Sequence, residues 1–328
     1  MDRSSHRSRR TGALLALAAL IVLAAAQAFA GDIPEPPGEN LKRIYGPWAP
    51  LAKAVADAVL QLGIVLLIAL PFQFLFPAVR RRAKLYTYEF WLDLIYWFQG
   101  AWLQLVSFYV ALQWLVSTVY GEAAPWIPAL AELPFWAQVL LSVWAFDFLV
   151  YWRHRWEHRV PMLWSFHAVH HTAERIDVLT TTRLHPLELA LGALFNAAVI
   201  QAGVPPAAAA LGFSFYLYYN FFIHANVRIR FPGPLKYVLV SPFMHHWHHA
   251  NDAEAMGKNV GVVFAWNDWL FGTAYHPQHW PTSSGLAAPP GETTPQSYLR
   301  HLAYPVQFFI ARVRGWLAAR ASRGTSST

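Results

Sequence analysis

Histidines with metal-ligand spacing are the residues of this chain best suited to chemistry. Eleven of its 15 histidines lie between positions 154 and 249. They form three boxes: His154-x3-His158, His167-x2-His170-His171 and His245-x2-His248-His249. Neutral imidazole is a good ligand for iron, zinc, copper and nickel. A basic surface tract or individually satisfied core histidines would not explain three regular boxes separated by apolar stretches.

Helical spacing would allow each box to act as a unit. Positions i, i+3 and i+4 share one face of an α-helix, so we expect each box to direct its imidazoles toward one point. The boxes supply eight candidate ligands, whereas a tetrahedral zinc uses four and a catalytic zinc uses three plus water. Eight histidines therefore predict two metal ions. The chain has no cysteine, which excludes disulfides, thiolate nucleophiles and iron–sulfur clusters.

The composition is typical of an integral membrane protein. The chain is 56% hydrophobic and only 13% charged, which is more apolar and less charged than an ordinary soluble domain. Its net charge of +7 would also suit nucleic acid. However, Arg80, Arg81, Arg82 and Lys84 cluster at the end of an apolar stretch, where basic residues mark the cytoplasmic side of a span. We therefore interpret the charge as membrane topology and expect no nucleic-acid partner.

The N-terminal segment resembles a secretory signal. Four arginines precede an apolar run over residues 12–26, and Ala28-Phe29-Ala30 follows as an A-x-A cleavage site. Residues 1–30 are thus predicted to be a signal peptide, or an uncleaved signal anchor with the same orientation. Residues 31–53, rich in proline and polar groups, would then lie outside the cytoplasm.

Apolar stretches predict an all-α bundle that crosses the membrane several times. Spans are expected at about residues 54–79, 92–119 and 135–152, and residues 187–222 read as a helical hairpin that turns at residues 203–206. Arg153, Arg155 and Arg159 follow the third span, and Arg183 precedes the hairpin. Interpreted as topology markers, they put every histidine box on the cytoplasmic face. The prediction is a multi-pass protein of a bacterial-type inner (plasma) membrane, whose histidine-rich helical cap holds two metals.

The C-terminal tail, residues 281–328, begins with a loop rich in proline, serine and glycine. Residues 298–320 then mix arginines with large apolar residues. This pattern favours a basic amphipathic helix lying on the anionic inner leaflet. An ordinary surface helix packed on the domain would have the same pattern.

Longer motifs around the boxes give the chain a specific resemblance over about residues 85–275. They follow one another in the order DFLVYWRHRWEH (147–158), LWSFHAVHH (163–171), RLHPLE (183–188), HAN (224–226), HHWHH (245–249), NVG (259–261) and DWLFGT (268–273). In these motifs the chain resembles the fatty acid hydroxylase, or sterol desaturase, superfamily. Residues 54–280 would be the membrane domain of that type. The motifs are specific for the superfamily but carry little information about the substrate.

The resemblance implies a membrane-bound, non-haem di-iron enzyme that hydroxylates or desaturates a lipid with O2 and two electrons. A separate ferredoxin, rubredoxin or cytochrome-type protein would supply the electrons at the basic cytoplasmic face. Carried over residue by residue, the metal ligands are His154, His158, His167, His170, His171, His245, His248 and His249, with His224 as a ninth. Asn220 stands where relatives place a histidine, and it would be a weak ligand or a hydrogen-bond donor behind one.

Several other side chains are candidates for orienting the imidazoles. Asp147, inside an apolar stretch and seven residues before His154, is the best carboxylate to accept an imidazole N–H. The remaining candidates are Glu157, Glu174, Glu188 and Asp268, any of which could instead be a surface acid. His185 is more typical of a helix cap than of a ligand, and His246 has the wrong helical phase for a ligand.

Two other functions fit a histidine-rich membrane protein. A metal transporter would place ionisable groups within the spans, whereas these boxes are predicted at one face. A zinc-loaded enzyme that hydrolyses or isomerises lipids would need no O2. Oxygen chemistry needs a redox-active metal with open positions, which favours two iron ions, although zinc could occupy the same ligands.

Overall fold

The computed structural model describes residues 87–106, 125–286 and 297–325, together with short stretches at 59–60, 62–65, 73 and 77–78. Within these residues the chain is helical and forms no β-strand beyond three isolated bridges. The α-helices are α1 (Tyr88–Val106), α2 (Phe135–Arg159), α3 (Pro161–His171), α4 (Pro186–Ala202), α5 (Pro206–His224), α6 (Leu235–Val238), α7 (Pro242–His248), α8 (Trp266–Leu270) and α9 (Tyr298–Thr325). The all-α prediction is confirmed for this part of the chain.

Helix α2 is the centre of the packing and contacts α3, α4 and α5. Its inner face buries Val143, Phe146 and Val150 in the main hydrophobic core. It is also the one helix in the described segments that is long and apolar enough to cross a membrane. The expected signal segment (1–30), the segment 31–53, most of the span expected at 54–79 and residues 107–119 of the span expected at 92–119 lie outside the described residues.

Local sequence explains where the box-bearing helices begin and end. Pro161 occupies the first turn of α3, where its missing N–H costs nothing, and the residue before it is forced into an extended conformation. This break turns the chain between α2 and α3, so that the boxes of the two helices approach each other. Helix α7 starts in the same way, with Ser241 as N-cap and Pro242 in the first turn.

The predicted hairpin is present as α4 and α5, joined at Gly203. Gly203 has φ +120°, and a Cβ there would lie 2.4 Å from the carbonyl oxygen of Ile127, so only glycine fits. Backbone bonds from Trp126 and Ile127 to the end of α4 fix this turn. Deeper in α5, Gly212 lies against Ser142 so closely that any side chain would collide, which brings α5 onto α2.

Some basic residues that were interpreted as topology markers have structural partners. Arg183 is 1% exposed, and its Nε donates to Asp93 at 2.6 Å. Arg153 donates to the carbonyl of Glu188, and Arg155 donates to the carbonyl of Phe271. Arg183 is therefore a buried core cation rather than a surface marker, because an acid on α1 compensates its charge in the interior.

Candidate metal centre

The histidines of the three boxes meet in the interior of the helical bundle. Together with His224 they form two groups whose ligand atoms lie within 4.8 Å of one another in each group. The five-histidine group consists of His154, His158, His167, His171 and His248. The four-histidine group consists of His170, His224, His245 and His249. The nine side chains are buried, apart from His158, which is partly exposed.

Each three-histidine box is divided between the two groups, which differs from the expectation that a box aims at one point. From α3, His167 and His171 enter the five-histidine group while His170 enters the other. From α7, the division is reversed: His248 enters the five-histidine group, and the i,i+4 pair that begins at His245 enters the other. The reason is helical geometry. Positions i and i+4 differ by about 40° around the axis, whereas i+3 and i+4 differ by about 100°.

Hydrogen bonds fix which nitrogen carries the proton in the four-histidine group. Nδ1 of His224 lies 2.8 Å from the carbonyl oxygen of Asn220, and Nδ1 of His170 lies 3.3 Å from that of Arg183. A carbonyl oxygen only accepts, so each Nδ1 must donate, and a neutral imidazole then has no proton left for Nε2. Yet the two Nε2 atoms are 3.1 Å apart. Two lone pairs at that distance repel each other unless a cation lies between them.

The five-histidine group contains an equivalent pair. His154 Nδ1 donates to the carbonyl of Val260 at 2.7 Å, and His167 Nδ1 donates to the carboxylate of Glu188 at 2.8 Å. Their Nε2 atoms are 2.9 Å apart, again with no proton available between them. Each group therefore has a built-in requirement for positive charge at the point where its Nε2 atoms converge.

The donor set and its spacing fit metal ions. Nitrogen ligands about 2.0–2.1 Å from a metal lie roughly 3 Å from each other. Nε2 of His245 is 2.9 Å from that of His224, and Nε2 of His249 is 3.3 Å from it. In the five-histidine group, both nitrogens of His158 and Nε2 of His248 are buried without a hydrogen-bond partner, as free lone pairs for a metal would be.

Burial keeps these imidazoles in the neutral form that metals bind. Loss of hydration lowers the pKa of His170 to about 3 and that of His248 to about 4. The same cause, reinforced by neighbouring histidines, lowers the pKa of His167, His171 and His249 well below its ordinary value. The lone pairs are therefore available at neutral pH, and no ligand proton has to be displaced.

Glu188 provides the carboxylate that the sequence analysis expected of Asp147. Its second oxygen accepts the backbone N–H of His185, so that one side chain both orients His167 and caps α4. Glu157 lies slightly farther from His167 Nδ1, at 3.7 Å, and pairs with Arg153. Asp147 instead accepts the backbone N–H groups of Val263 and Phe264. Its position inside α2 directs it to that loop rather than to an imidazole.

A short strap at residues 258–261 fixes two imidazoles of the five-histidine group. The carbonyl of Lys258 accepts from His248 Nδ1 at 2.8 Å, and the carbonyl of Val260 accepts from His154. Between them, Asn259 has φ +52°, and its side chain bonds the backbone of Met244 and Tyr275. Asp268 accepts the next two N–H groups of the strap, those of Val260 and Gly261.

The remaining candidates lie around the centre rather than in either group. His185 caps α4 by accepting from the Leu187 N–H, in line with its interpretation as a cap. His246 Nε2 is directed toward the carbonyl of Ala225. Asn220 contributes its backbone carbonyl to His224, while its side-chain Oδ1 is buried without a partner. Glu174 is exposed at the surface. Sequence reasoning missed the roles of the Arg183, Lys258 and Val260 carbonyls, because backbone acceptors leave no residue-type signal.

Comparison with known proteins agrees with this centre. Residues 139–273 match the fatty acid hydroxylase family. The chain is 34% identical to an alkylglycerol monooxygenase of Homo sapiens over 139 residues. These residues make up 42% of this chain and 30% of that protein. It is 30% identical to an ornithine lipid hydroxylase of Rhizobium tropici over 179 residues. These residues make up 53% of this chain and 52% of that protein.

A more distant relative is a very-long-chain aldehyde decarbonylase of Oryza sativa subsp. indica, 27% identical over 169 residues, which cover 46% of this chain and 26% of that protein. Alignments with these three relatives thus span from about a quarter to about half of their lengths. No solved structure shows a significant match. The matched segment, residues 139–273, contains all nine histidines of the two groups, and in this segment the chain is similar to the fatty acid hydroxylase family.

Proposed function

We propose that the two histidine groups hold two iron ions and that the protein is an O2-dependent lipid hydroxylase. The observation that carries this proposal is the facing of unprotonated Nε2 atoms, His170 with His224 and His154 with His167, once in each group. Nine imidazoles arranged in two groups fit two ions better than one. Iron, when bound, would supply the activation of O2 and the attack on an unreactive C–H bond.

The residues of the chain prepare the site for that chemistry in three ways. The helices bury the imidazoles, which keeps them neutral and excludes water from the reacting atoms. The strap carbonyls and Glu188 fix the tautomer and the ring orientation of His154, His248 and His167. The ring of Trp164 packs against His158, with centroids 5.1 Å apart, and both nitrogens of His158 stay buried although the residue is partly exposed.

We propose that the substrate is a membrane lipid with a polar head and a long alkyl chain. The relatives named above are an alkylglycerol monooxygenase and an ornithine lipid hydroxylase, which share such a substrate by name. Helix α2 has an outward apolar stripe of Trp136, Leu140 and Trp144, which are 67, 59 and 41% exposed. Exposing these apolar side chains to water would cost free energy, whereas lipid acyl chains would cover them. Hydroxylation is preferred to desaturation because one relative is named a hydroxylase and the other a monooxygenase, which inserts one oxygen atom.

The topology completes the proposal. The protein would cross a bacterial-type inner membrane several times, with residues 1–30 as signal segment and the metal centre on the cytoplasmic side. His154 and His158 lie in the last turns of α2, close to Arg159 at its end, as a centre at the basic, inner end of a span requires. An acidic electron-transfer protein would dock on this basic face.

The test is a comparison of lipids and metal content in one preparation. The chain is expressed with wild-type sequence, His170→Ala or His246→Ala, and lipid extracts are compared by mass spectrometry for a gain of one oxygen. We expect about two iron atoms per chain and oxidised lipid for the wild type and for His246→Ala, and loss of both for His170→Ala. Unchanged product with His170→Ala would refute the metal assignment. An active zinc-only protein that needs no O2 would replace the proposal with the zinc-enzyme alternative.

A further inference from the structure

Within the described residues, helix α9 is attached to the domain by its first two turns. The ring of Tyr298 packs edge-on against Tyr96 of α1, with centroids 5.2 Å apart. His301 is completely buried, and its Nδ1 lies 3.0 Å from the Tyr96 hydroxyl. Pro305, one turn later, is also buried. These turns pack on α3, the helix that bears His167 and His170.

Beyond Pro305 the helix has an uncovered apolar face. Six large apolar side chains there are between 38 and 61% exposed: Val306, Phe309, Ile310, Val313, Trp316 and Leu317. They recur every three or four residues, so they form one continuous stripe along more than three turns. No described residue covers these six side chains enough to bury them. A face of this size requires a partner.

The charge of α9 identifies the partner. The helix contains five arginines and not one aspartate or glutamate: Arg300, Arg312, Arg314, Arg320 and Arg323. By helical phase, Arg312 and Arg314 border the apolar stripe on its two sides. The Arg320 guanidinium lies over the ring of Trp316, 5.2 Å from its centroid. Pairing with a second copy would bring arginines together without any acid to compensate them, whereas an anionic lipid surface offers both phosphates and apolar chains.

We propose that the segment of α9 from Val306 to Leu317 lies in the headgroup region of an anionic phospholipid bilayer. The apolar stripe enters the acyl boundary, and the bordering arginines reach the phosphates. Because the first turns of α9 are packed on α3, this contact sets the distance between the metal centre and the membrane surface. The inference does not depend on which metal is bound or which reaction follows.

The absence of cysteine from the natural chain allows a direct test. A single cysteine at Ile310, inside the stripe, is compared with one at its neighbour Ala311, which is exposed on the opposite face. The two full-chain variants, Ile310→Cys and Ala311→Cys, are each labelled with an environment-sensitive fluorophore and placed in nanodiscs. The discs contain phosphatidylcholine with or without phosphatidylglycerol. Quenching by lipid-attached nitroxide is compared with quenching by aqueous iodide.

We expect the label at position 310 to be quenched from the lipid and the label at position 311 by iodide. The lipid quenching should increase with phosphatidylglycerol. Each arginine removed, in Arg312→Gln or Arg314→Gln, should lower docking by about fivefold. Equal iodide quenching at both positions would overturn the proposal. So would disulfide crosslinking between the position-310 cysteines of two chains, since it would identify a second copy as the partner. Because the readout needs no turnover, it stays valid if the proposed enzymatic function fails.

Discussion

The two histidine groups are built from the same helices but have different surroundings. The five-histidine group is bordered by Glu188 and Glu157 and has one partly exposed member, His158. In the four-histidine group, Nδ1 of His224 and Nδ1 of His170 donate to backbone carbonyls. The Nδ1 atoms of His245 and His249 are buried without a hydrogen-bond partner. Both kinds of partner orient the imidazole, but a charged carboxylate raises its basicity more than a neutral carbonyl does. The five-histidine group is thus the more electron-rich position, whereas in the described residues the ligands of the four-histidine group have no carboxylate behind them.

The strongest way to break this comparison is to remove one ligand from each group in turn. His154→Ala and His224→Ala should each lower bound metal from two ions per chain toward one and reduce product formation by at least about 100-fold, since removal of even an outer partner costs 10–100-fold. Metal analysis of purified protein and lipid mass spectrometry measure both effects. The matched control is His246→Ala, which removes a buried imidazole of neither group. Two ions retained in either ligand variant would show that the groups are not separate binding positions.

Glu188→Gln should affect only the electron-rich position. Glutamine keeps the shape but cannot offer acceptors to both the His167 Nδ1–H and the backbone N–H of His185. We expect the metal affinity of the five-histidine group to fall by about 10–100-fold while the other group keeps its ion. Competition with a chelator, followed spectroscopically, measures the two affinities. The exposed acid variant Glu132→Gln serves as control. An equal loss at both positions would remove the distinction between them.

Substitutions at Asn259 test whether the strap positions imidazoles or only stabilises the fold. Asn259→Gly tolerates φ +52° but loses the side-chain bonds, whereas Asn259→Ala also adds about 1–2 kcal/mol of left-handed strain. We expect both variants to weaken metal binding at the five-histidine group, alanine more than glycine. The readouts are its spectroscopic signature and the denaturant midpoint. A lower midpoint with unchanged spectrum and affinity in both variants would reduce the strap to a purely structural element.

The smallest expected effect is that of Asn220→Ala. His224 uses the backbone carbonyl of residue 220, which alanine preserves. We therefore expect metal content and product formation to change by less than about threefold. Loss of a group that accepts a hydrogen bond from a ligating imidazole would cost more, about 10–100-fold. A decrease as large as that of His224→Ala would make the buried Oδ1 of Asn220 a tenth ligand atom and bring the two groups to equal size.

The sequence predicted which histidines lie together better than how they are divided between the two groups. Box spacing identified the histidines because metal ligation demands particular residue types at helical intervals. The division of each box between two groups was not predicted, since it depends on how α3 and α7 are oriented toward each other. The charge pattern also misled at Arg183, whose partner Asp93 lies 90 positions away in sequence. Glu188, one of the further candidates, has the role expected first of Asp147 for the same reason: tertiary contacts decide which carboxylate reaches an imidazole.

The division of each box between the groups has a consequence for how the protein would acquire the two proposed ions. Whichever ion arrived first would immobilise α3 and α7 together, because each helix contributes to both groups. The second ion would then find its imidazoles already arranged and bind with less entropic cost. We expect a cell short of iron to contain empty and fully loaded molecules, with few at the half-filled stage. Native mass spectrometry during a titration would display that distribution directly.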